Sequence, residues 1–224
     1  MKLDNIKKNG TLIVLYAYLF LVSFVYVFEN NNTDYFEKLL NILFNPVFLL
    51  IIIIPSFIAY AYLELEKLCN NKQIIIRFSN YKNTFFNLIK KILGKQVILY
   101  IDFILILFIA NNIGTNNSFN FMNFLLLIFQ IFRIYLYIAT LTIFVIFIYL
   151  RYGKNISIIS SFIIMLITYF ICSNYFIIEY IFPARHLYFQ EPNIIKDIFY
   201  YLIILILEFF IINKNYKEIN FDEY

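Results

Sequence analysis

Long stretches without a charged side chain constrain this chain more than any other feature of its sequence. Arg133 is the only charged residue between Phe121 and Leu150, and the run Thr11–Phe28 contains none. A helix needs about 20 mostly apolar residues to cross the hydrocarbon core of a bilayer. Hydrophobic residues make up 62% of the chain and charged residues 14%, whereas a soluble domain is about one-quarter charged. The sequence therefore predicts an all-α integral membrane protein.

Six uncharged or nearly uncharged runs predict six transmembrane helices, which form a single transmembrane domain over residues 1–224. The predicted spans are 11–28, 45–63, 96–113, 130–150, 155–178 and 198–213. The fourth run is longer than one crossing requires. Either its helix extends beyond the bilayer, or residues 121–131 first lie along the interface.

The distribution of Lys and Arg predicts the orientation of these helices. With the spans above, 14 of these basic residues lie on one side of the membrane and three on the other. Basic residues accumulate on the cytoplasmic side of membrane proteins. Both termini and residues 64–95 are therefore predicted to be cytoplasmic, in agreement with an even number of spans.

The sequence lacks the motifs of the common catalytic classes. None of its four glycines stands in a phosphate-binding P-loop, and its one histidine, His186, excludes an HExxH metal site. No GxSxG motif is present, and Cys69 and Cys172 are too few for a disulfide framework. We therefore expect a chain that is not an enzyme, that holds no cofactor or metal, and that binds no nucleic acid.

Residues 74–95 combine basic and apolar side chains in a helical pattern. Apolar residues recur every three or four positions, at Ile74, Phe78, Tyr81, Phe85, Leu88 and Ile92. Basic and amide side chains occupy the rest, at Arg77, Asn80, Asn83, Asn87, Lys90, Lys91 and Lys95. The pattern predicts a cytoplasmic amphipathic helix between spans two and three. Such a helix either lies in the headgroup layer or presents its polar face to a soluble partner.

Three charged residues fall inside predicted spans, namely Asp102, Arg133 and Glu208. Burying an ionisable residue costs roughly 2.5 kcal/mol or more at the centre of a spanning helix, so each is a candidate functional residue. Asp102 and Glu208 are predicted near the inner surface, and Arg133 is predicted nearer the outer one. They line a substrate path or a subunit interface, or they make only snorkelling and packing contacts.

The predicted outer link, residues 179–197, is rich in Tyr and Phe, whereas a solvent loop is usually polar. Aromatic side chains favour the headgroup layer of a membrane. The link is therefore predicted to be an interfacial or re-entrant element that covers the outer ends of spans five and six, or else a simple aromatic belt. Its candidate residues are Pro183, Arg185, His186 and Pro192.

Taken in order, these features resemble the permease subunit of ABC-2-type transporters, in particular the small bacterial six-span kind of peptide and bacteriocin export systems. The resemblance rests on six spans with both termini inside, the basic stretch IIIRFSNYKNTFFNLIKKIL, the short link RYGKN and the long outer link. It implies that a separate ATPase subunit, which binds ATP and magnesium, docks on the amphipathic helix as a coupling helix. The implied coupling residues are Arg77, Phe78, Tyr81, Lys82, Phe85, Lys90 and Lys91.

The resemblance also implies a function and a location. The expected function is export of a peptide, lipid or hydrophobic toxin through the cell membrane of a bacterium, by a homodimer or a heterodimer of permease chains. Two alternatives stay open. One is a membrane immunity protein that shields the cell from a membrane-active peptide without transporting it, and the other is a different carrier or an intramembrane enzyme.

Overall fold

A computed structural model describes residues 14, 16–22, 25, 35–45, 48–69, 81–112, 121–174 and 194–215. Every residue in these ranges is helical except Asn45 and Gly153, and these ranges contain no strand. The helices are α1 (Tyr35–Phe44), α2 (Ile54–Cys69), α3 (Tyr81–Asn112), α4 (Phe121–Tyr152), α5 (Lys154–Asn174) and α6 (Ile194–Asn215). A π-helical stretch, Phe48–Ile53, leads directly into α2.

Three helical stretches in the described part of the chain are long and apolar enough to cross a membrane. They are Phe48–Cys69, Phe85–Asn111 and Phe121–Tyr152, and two shorter apolar stretches follow at Lys154–Ile167 and Tyr201–Ile211. The chain is thus all-helical where it is described and has the helices of a membrane protein, which confirms the predicted class. The number of six spans and the cytoplasmic termini stay predictions, since residues 1–13 and 216–224 lie outside the described residues.

The π-helical stretch stands immediately before a proline. Pro55 has no N–H to donate to the carbonyl four residues earlier, and its ring collides with that carbonyl in a regular α-helix. A wider π-helical turn is one way in which a helix accommodates such a disturbance. Asn45 stabilises the start of the stretch, because its side-chain oxygen accepts a hydrogen bond from the backbone N–H of Phe48 at 3.2 Å, as a helix N-cap does.

A single residue, Gly153, separates α4 from α5. Its φ of 85° lies in the left-handed region, which glycine adopts without the steric cost that a Cβ brings. The backbone N–H of Gly153 donates to the carbonyl of Tyr149 at 2.9 Å and so satisfies the end of α4. The carbonyl of Gly153 accepts from the N–H of Ser157 at 3.2 Å, which begins the hydrogen bonding of α5. This turn explains why α4 and α5 are close neighbours.

Helix α4 continues without a break from Phe121 to Tyr152. Its 32 residues reach about 48 Å at 1.5 Å per residue, which exceeds the hydrocarbon thickness of about 30 Å. The extension of this helix beyond the bilayer stays a prediction. Residues 121–131 form the first turns of α4 and are not a separate element.

The buried apolar side chains form two clusters. The larger joins α1, the π-helical stretch, α2, α3 and α4, and Phe57 makes edge contacts within it to Tyr100 and Phe103. The smaller, which we call the second cluster, joins the last turns of α2, the first turns of α3 and the last turns of α4. Its buried members are Ala61, Leu65, Leu68, Cys69, Phe85, Leu88, Ile89, Ile92, Ile143, Ile146, Tyr149 and Leu150.

Candidate functional site

The predicted coupling helix is continuous with the helix that follows it. Residues 81–95 are helical, as expected, but α3 runs on through Lys95 and Gln96 to Asn112 without a break. The predicted boundary between the amphipathic segment and span three therefore does not appear as an interruption of the helix. Arg77 and Phe78 lie outside the described residues, and so do the side chains of Tyr81 and Lys82.

The apolar face of this segment packs inside the protein. Phe85 and Ile92 are fully buried and Leu88 is nearly so, and all three are positions of the predicted apolar face. All three belong to the second cluster, where they lie among side chains of α2 and α4. Because the face is covered by protein, the first turns of α3 do not offer it to lipid.

The opposite face of the segment is open. The side chains of Lys90 and Lys91 are exposed, and a Cβ added at the exposed Gly94 meets nothing within 4 Å. Of the predicted coupling residues, these two lysines are therefore the described ones that a soluble partner could reach. Phe85 is instead a packing residue of the second cluster.

Glu64, near the end of α2, is the most buried acidic side chain in this region, with 5% exposure. Its Oε2 accepts a hydrogen bond from the Lys95 ammonium group of α3. Its Oε1 lies 3.5 Å from Nζ of Lys67, three residues later in α2. A buried carboxylate requires a counter-charge of this kind, since an unpaired buried charge is very costly.

A second ion pair joins Glu66 of α2 to Lys154, the first residue of α5. The last turns of α2 are thus tied to both α3 and α5 by charged groups.

We call this part of the molecule the basic end, and it consists of Glu64, Glu66, Lys67, Lys90, Lys91, Lys95 and Lys154. Lys90 and Lys91 were predicted as coupling residues and Lys95 as part of the polar helix face, whereas the ion pairs of Glu64 and Glu66 were not predicted. The signal for the ion pairs was the stretch Glu64-Leu-Glu66-Lys67 at the end of an apolar run.

An aromatic contact connects the same region to α6. The rings of Phe86 and Phe209 stack with 5.8 Å between their centroids and 16° between their planes. Phe209 also packs against the second cluster. The first turns of α3 therefore contact α2, α4 and α6.

The three intramembrane charges predicted to line a path lie in different surroundings. Asp102 accepts a hydrogen bond from the hydroxyl of Tyr16 at 2.8 Å. Arg133 is buried in α4 with 1% exposure. Glu208 is partly buried in α6, and its Oε2 has no hydrogen-bond partner among the described residues. The contacts of the described residues do not join the three charges into one group, so their role as path residues stays a prediction.

Buried polar side chains next to the basic end link neighbouring helices of the bundle by hydrogen bonds. The amide nitrogen of Gln96 donates to the carbonyl of Phe57 at 3.0 Å and to the hydroxyl of Thr142 at 2.9 Å, which links α3 to α2 and α4. Ser157 of α5 donates to the carbonyl of Val145 at 2.9 Å. Hydrogen bonds of this kind hold helices together where water is absent. Sequence reasoning missed these hydrogen bonds because isolated Gln, Thr and Ser residues carry no recognisable pattern.

The predicted outer element cannot be compared with the structure, because Pro183, Arg185, His186 and Pro192 lie outside the described residues. Within the described ranges, no three His, Cys, Asp or Glu side chains come together in a way that could hold a metal ion.

Comparison of the chain with models of protein families, with curated proteins and with solved structures finds no match.

Proposed function

We propose that this chain is the membrane subunit of an ABC-2-type transporter in a bacterial cell membrane. In this role it forms a path for a peptide, lipid or hydrophobic toxin, and a separate ATPase subunit drives export. The chain pairs with itself or with a second permease chain, and Asp102, Arg133 and Glu208 serve the path or the subunit interface. The outer link with Pro183, Arg185, His186 and Pro192 covers its outer end.

One observation supports this proposal more than any other. Helix α3 carries an open basic face at Lys90 and Lys91, and these lysines lie in the first turns of Phe85–Asn111, an uninterrupted stretch long and apolar enough to cross a membrane. A soluble subunit that binds the basic face therefore acts directly on a membrane-crossing helix. A helix lying freely on the lipid surface would not transmit force in this way.

The buried face of the same turns supports a coupled movement. Phe85, Leu88 and Ile92 pack into the second cluster with α2 and α4, and Phe86 stacks on Phe209 of α6. Closely packed interiors transmit a displacement instead of absorbing it. When the ATPase subunits close on ATP and separate after hydrolysis, we expect their movement to reach four helices through the start of α3.

Recovery of an ATPase with the tagged chain, extracted from its native membrane in mild detergent, tests this proposal. We expect a protein with a P-loop to co-purify with the unmodified chain. Reversing two exposed charges, in Lys90→Glu plus Lys91→Glu, should lower its recovery at least about tenfold, because the new carboxylates repel an acidic partner surface that the lysines attract. Lys214→Glu is the charge-matched control, since Lys214 is exposed and belongs to α6 and not to the basic face of α3.

Two results would contradict the proposal. The first is equal recovery of the ATPase with the double variant and with the control, which removes the basic face from the contact. The second is the absence of any ATPase, combined with protection of cells by the chain alone against a membrane-active peptide. That result supports the immunity protein in place of the transporter.

A further inference from the structure

The ion pair between Glu64 and Lys95 joins α2 to α3 at the basic end, and its two members differ sharply in exposure. The Glu64 side chain is 7% exposed, whereas the Lys95 side chain is 42% exposed. The ammonium group therefore bridges a buried carboxylate and the protein surface. A group that approaches from outside can contact Lys95 without entering the bundle.

Lys95 also shares its helix face with a lysine of the proposed docking surface. Lys91 stands four residues earlier in α3, and side chains at that spacing lie next to each other on a helix. Lys91 is exposed. An acidic surface that binds Lys91 is thus brought within reach of Lys95.

Glu64 retains a second counter-charge when its ion pair with Lys95 breaks. Lys67, in the same helix, lies 3.5 Å from its Oε1. Loss of Lys95 therefore breaks the connection between α2 and α3 without leaving the buried carboxylate alone, which is the usual reason that broken buried pairs are so costly.

We propose that the Glu64–Lys95 ion pair is a releasable link, which an acidic surface of the soluble partner opens by taking the ammonium group of Lys95. While the pair is intact, the last turns of α2 and the first turns of α3 stay together and cover Cys69. When a partner carboxylate replaces Glu64, these turns separate and the second cluster opens. This inference rests on the proposed function, since it requires a partner that docks at the basic end.

Cys69 reports this opening directly. It lies five residues after Glu64, about 7.5 Å along the helix, and it is 3% exposed within the second cluster beside side chains of α3. In a Cys172→Ser chain held in lipid nanodiscs, it is the one thiol that N-ethylmaleimide can modify. The rate of its modification measures how often α2 and α3 separate.

Three variants isolate the ion pair. Lys95→Met removes the link and should raise the modification rate at least about tenfold, because the closed form loses the ion pair that holds α2 to α3. Glu64→Leu with Lys95→Met replaces the pair by apolar side chains, which pack as well as the pair does, and should restore the slow rate. Lys214→Met is the matched control and should leave the rate unchanged.

Poly-L-glutamate serves as the probe for an acidic surface and needs no change in the basic end. It should accelerate modification of Cys69 in the Cys172→Ser chain, and about 1 M salt should abolish the effect by screening. Poly-L-lysine should have no effect, and the Glu64→Leu/Lys95→Met chain should not respond to either polymer.

The proposal is wrong if Lys95→Met and Lys214→Met give the same rate, or if poly-L-glutamate leaves the rate unchanged. If Lys95→Met does not accumulate in the membrane, the polymer experiment alone decides. These measurements use no ATPase, so they fail or succeed independently of the co-purification that tests the proposed function. A releasable link in a chain that binds no ATPase would point to an acidic partner of another kind.

Discussion

Glu64 and Lys38 are two buried charged side chains that lie in different surroundings. Glu64 is surrounded by the counter-charges Lys95 and Lys67. Lys38, in α1, is 4% exposed, and its burial lowers the pKa of its ammonium group from the ordinary value of 10.5. Burial disfavours the charged form of a lysine, so the charge of Lys38 opposes folding at neutral pH.

We predict that Lys38→Met stabilises the protein at pH 7. The lowered pKa means that the folded state binds the proton of Lys38 less tightly than the unfolded state does. The cost of the charge is therefore complete below the folded pKa and disappears as pH rises through it towards 10.5. The difference in melting temperature between Lys38→Met and the unmodified chain should shrink as pH rises over that range. The difference for Lys214→Met should show no such trend. A Lys38→Met chain that is less stable at pH 7 would show that the ammonium group makes a favourable contact.

At the scale of helices, two glycines have opposite roles. Gly153 joins α4 to α5 in a left-handed conformation, with a φ of 85°. Gly94 stands inside α3 on its exposed face, with space for a Cβ. The first position requires glycine, whereas the second only loses helix stability by having it.

Substitution of each glycine by alanine should therefore shift stability in opposite directions. We expect Gly153→Ala to destabilise the protein by about 1–2 kcal/mol, the cost of a left-handed conformation for a residue with a side chain. Gly94→Ala should stabilise it by about 0.5–1 kcal/mol, the difference in helix propensity. Thermal unfolding of the two variants in the same detergent makes the comparison. If Gly153→Ala is neutral, the connection between α4 and α5 differs from the tight turn described above.

The buried face of α3 was predictable from the sequence, whereas the continuation of the helix past Lys95 was not. The three- and four-residue spacing of Phe85, Leu88 and Ile92 predicts a buried helix face, because spacing is a local property of the sequence. The continuation of the helix past Lys95 was not predictable, because a lysine at the end of a basic segment usually marks the membrane surface.

For the molecule as a whole, the basic end is where most elements meet. The second cluster, the two ion pairs of α2 and the stack of Phe86 on Phe209 bring together α2, α3, α4, α5 and α6. These contacts link residues far apart in the chain, such as Glu66 and Lys154. No periodicity or short motif encodes such pairs, so a single sequence predicts the helices but not their contacts.

The orientation of the whole molecule yields a prediction of its own. If the basic end is cytoplasmic, a reporter enzyme that works only in the cytoplasm should be active when fused after Tyr224, and a reporter that works only outside should be inactive there. The excess of Lys and Arg on one side is the physical reason. Fusions after Asn117, which lies between the predicted spans 96–113 and 130–150 and is therefore predicted to face outward, should give the reverse result. If the same reporter is active at both sites, the predicted number of membrane crossings is wrong.

The uninterrupted course of α3 also sets the scale of its motion. Its 32 residues form a rod about 48 Å long. If the rod tilts by about 5° around its midpoint, each end shifts by about 2 Å, since half its length is about 24 Å. Lys90 and Lys91 lie about 9 Å before that midpoint and Asn111, a fully buried polar residue, lies about 22 Å beyond it. A push that moves the two lysines by about 0.8 Å therefore displaces Asn111 by about 2 Å in the opposite direction. A displacement in the first half of α3 is thus transmitted to its last turn by the rigidity of the helix alone.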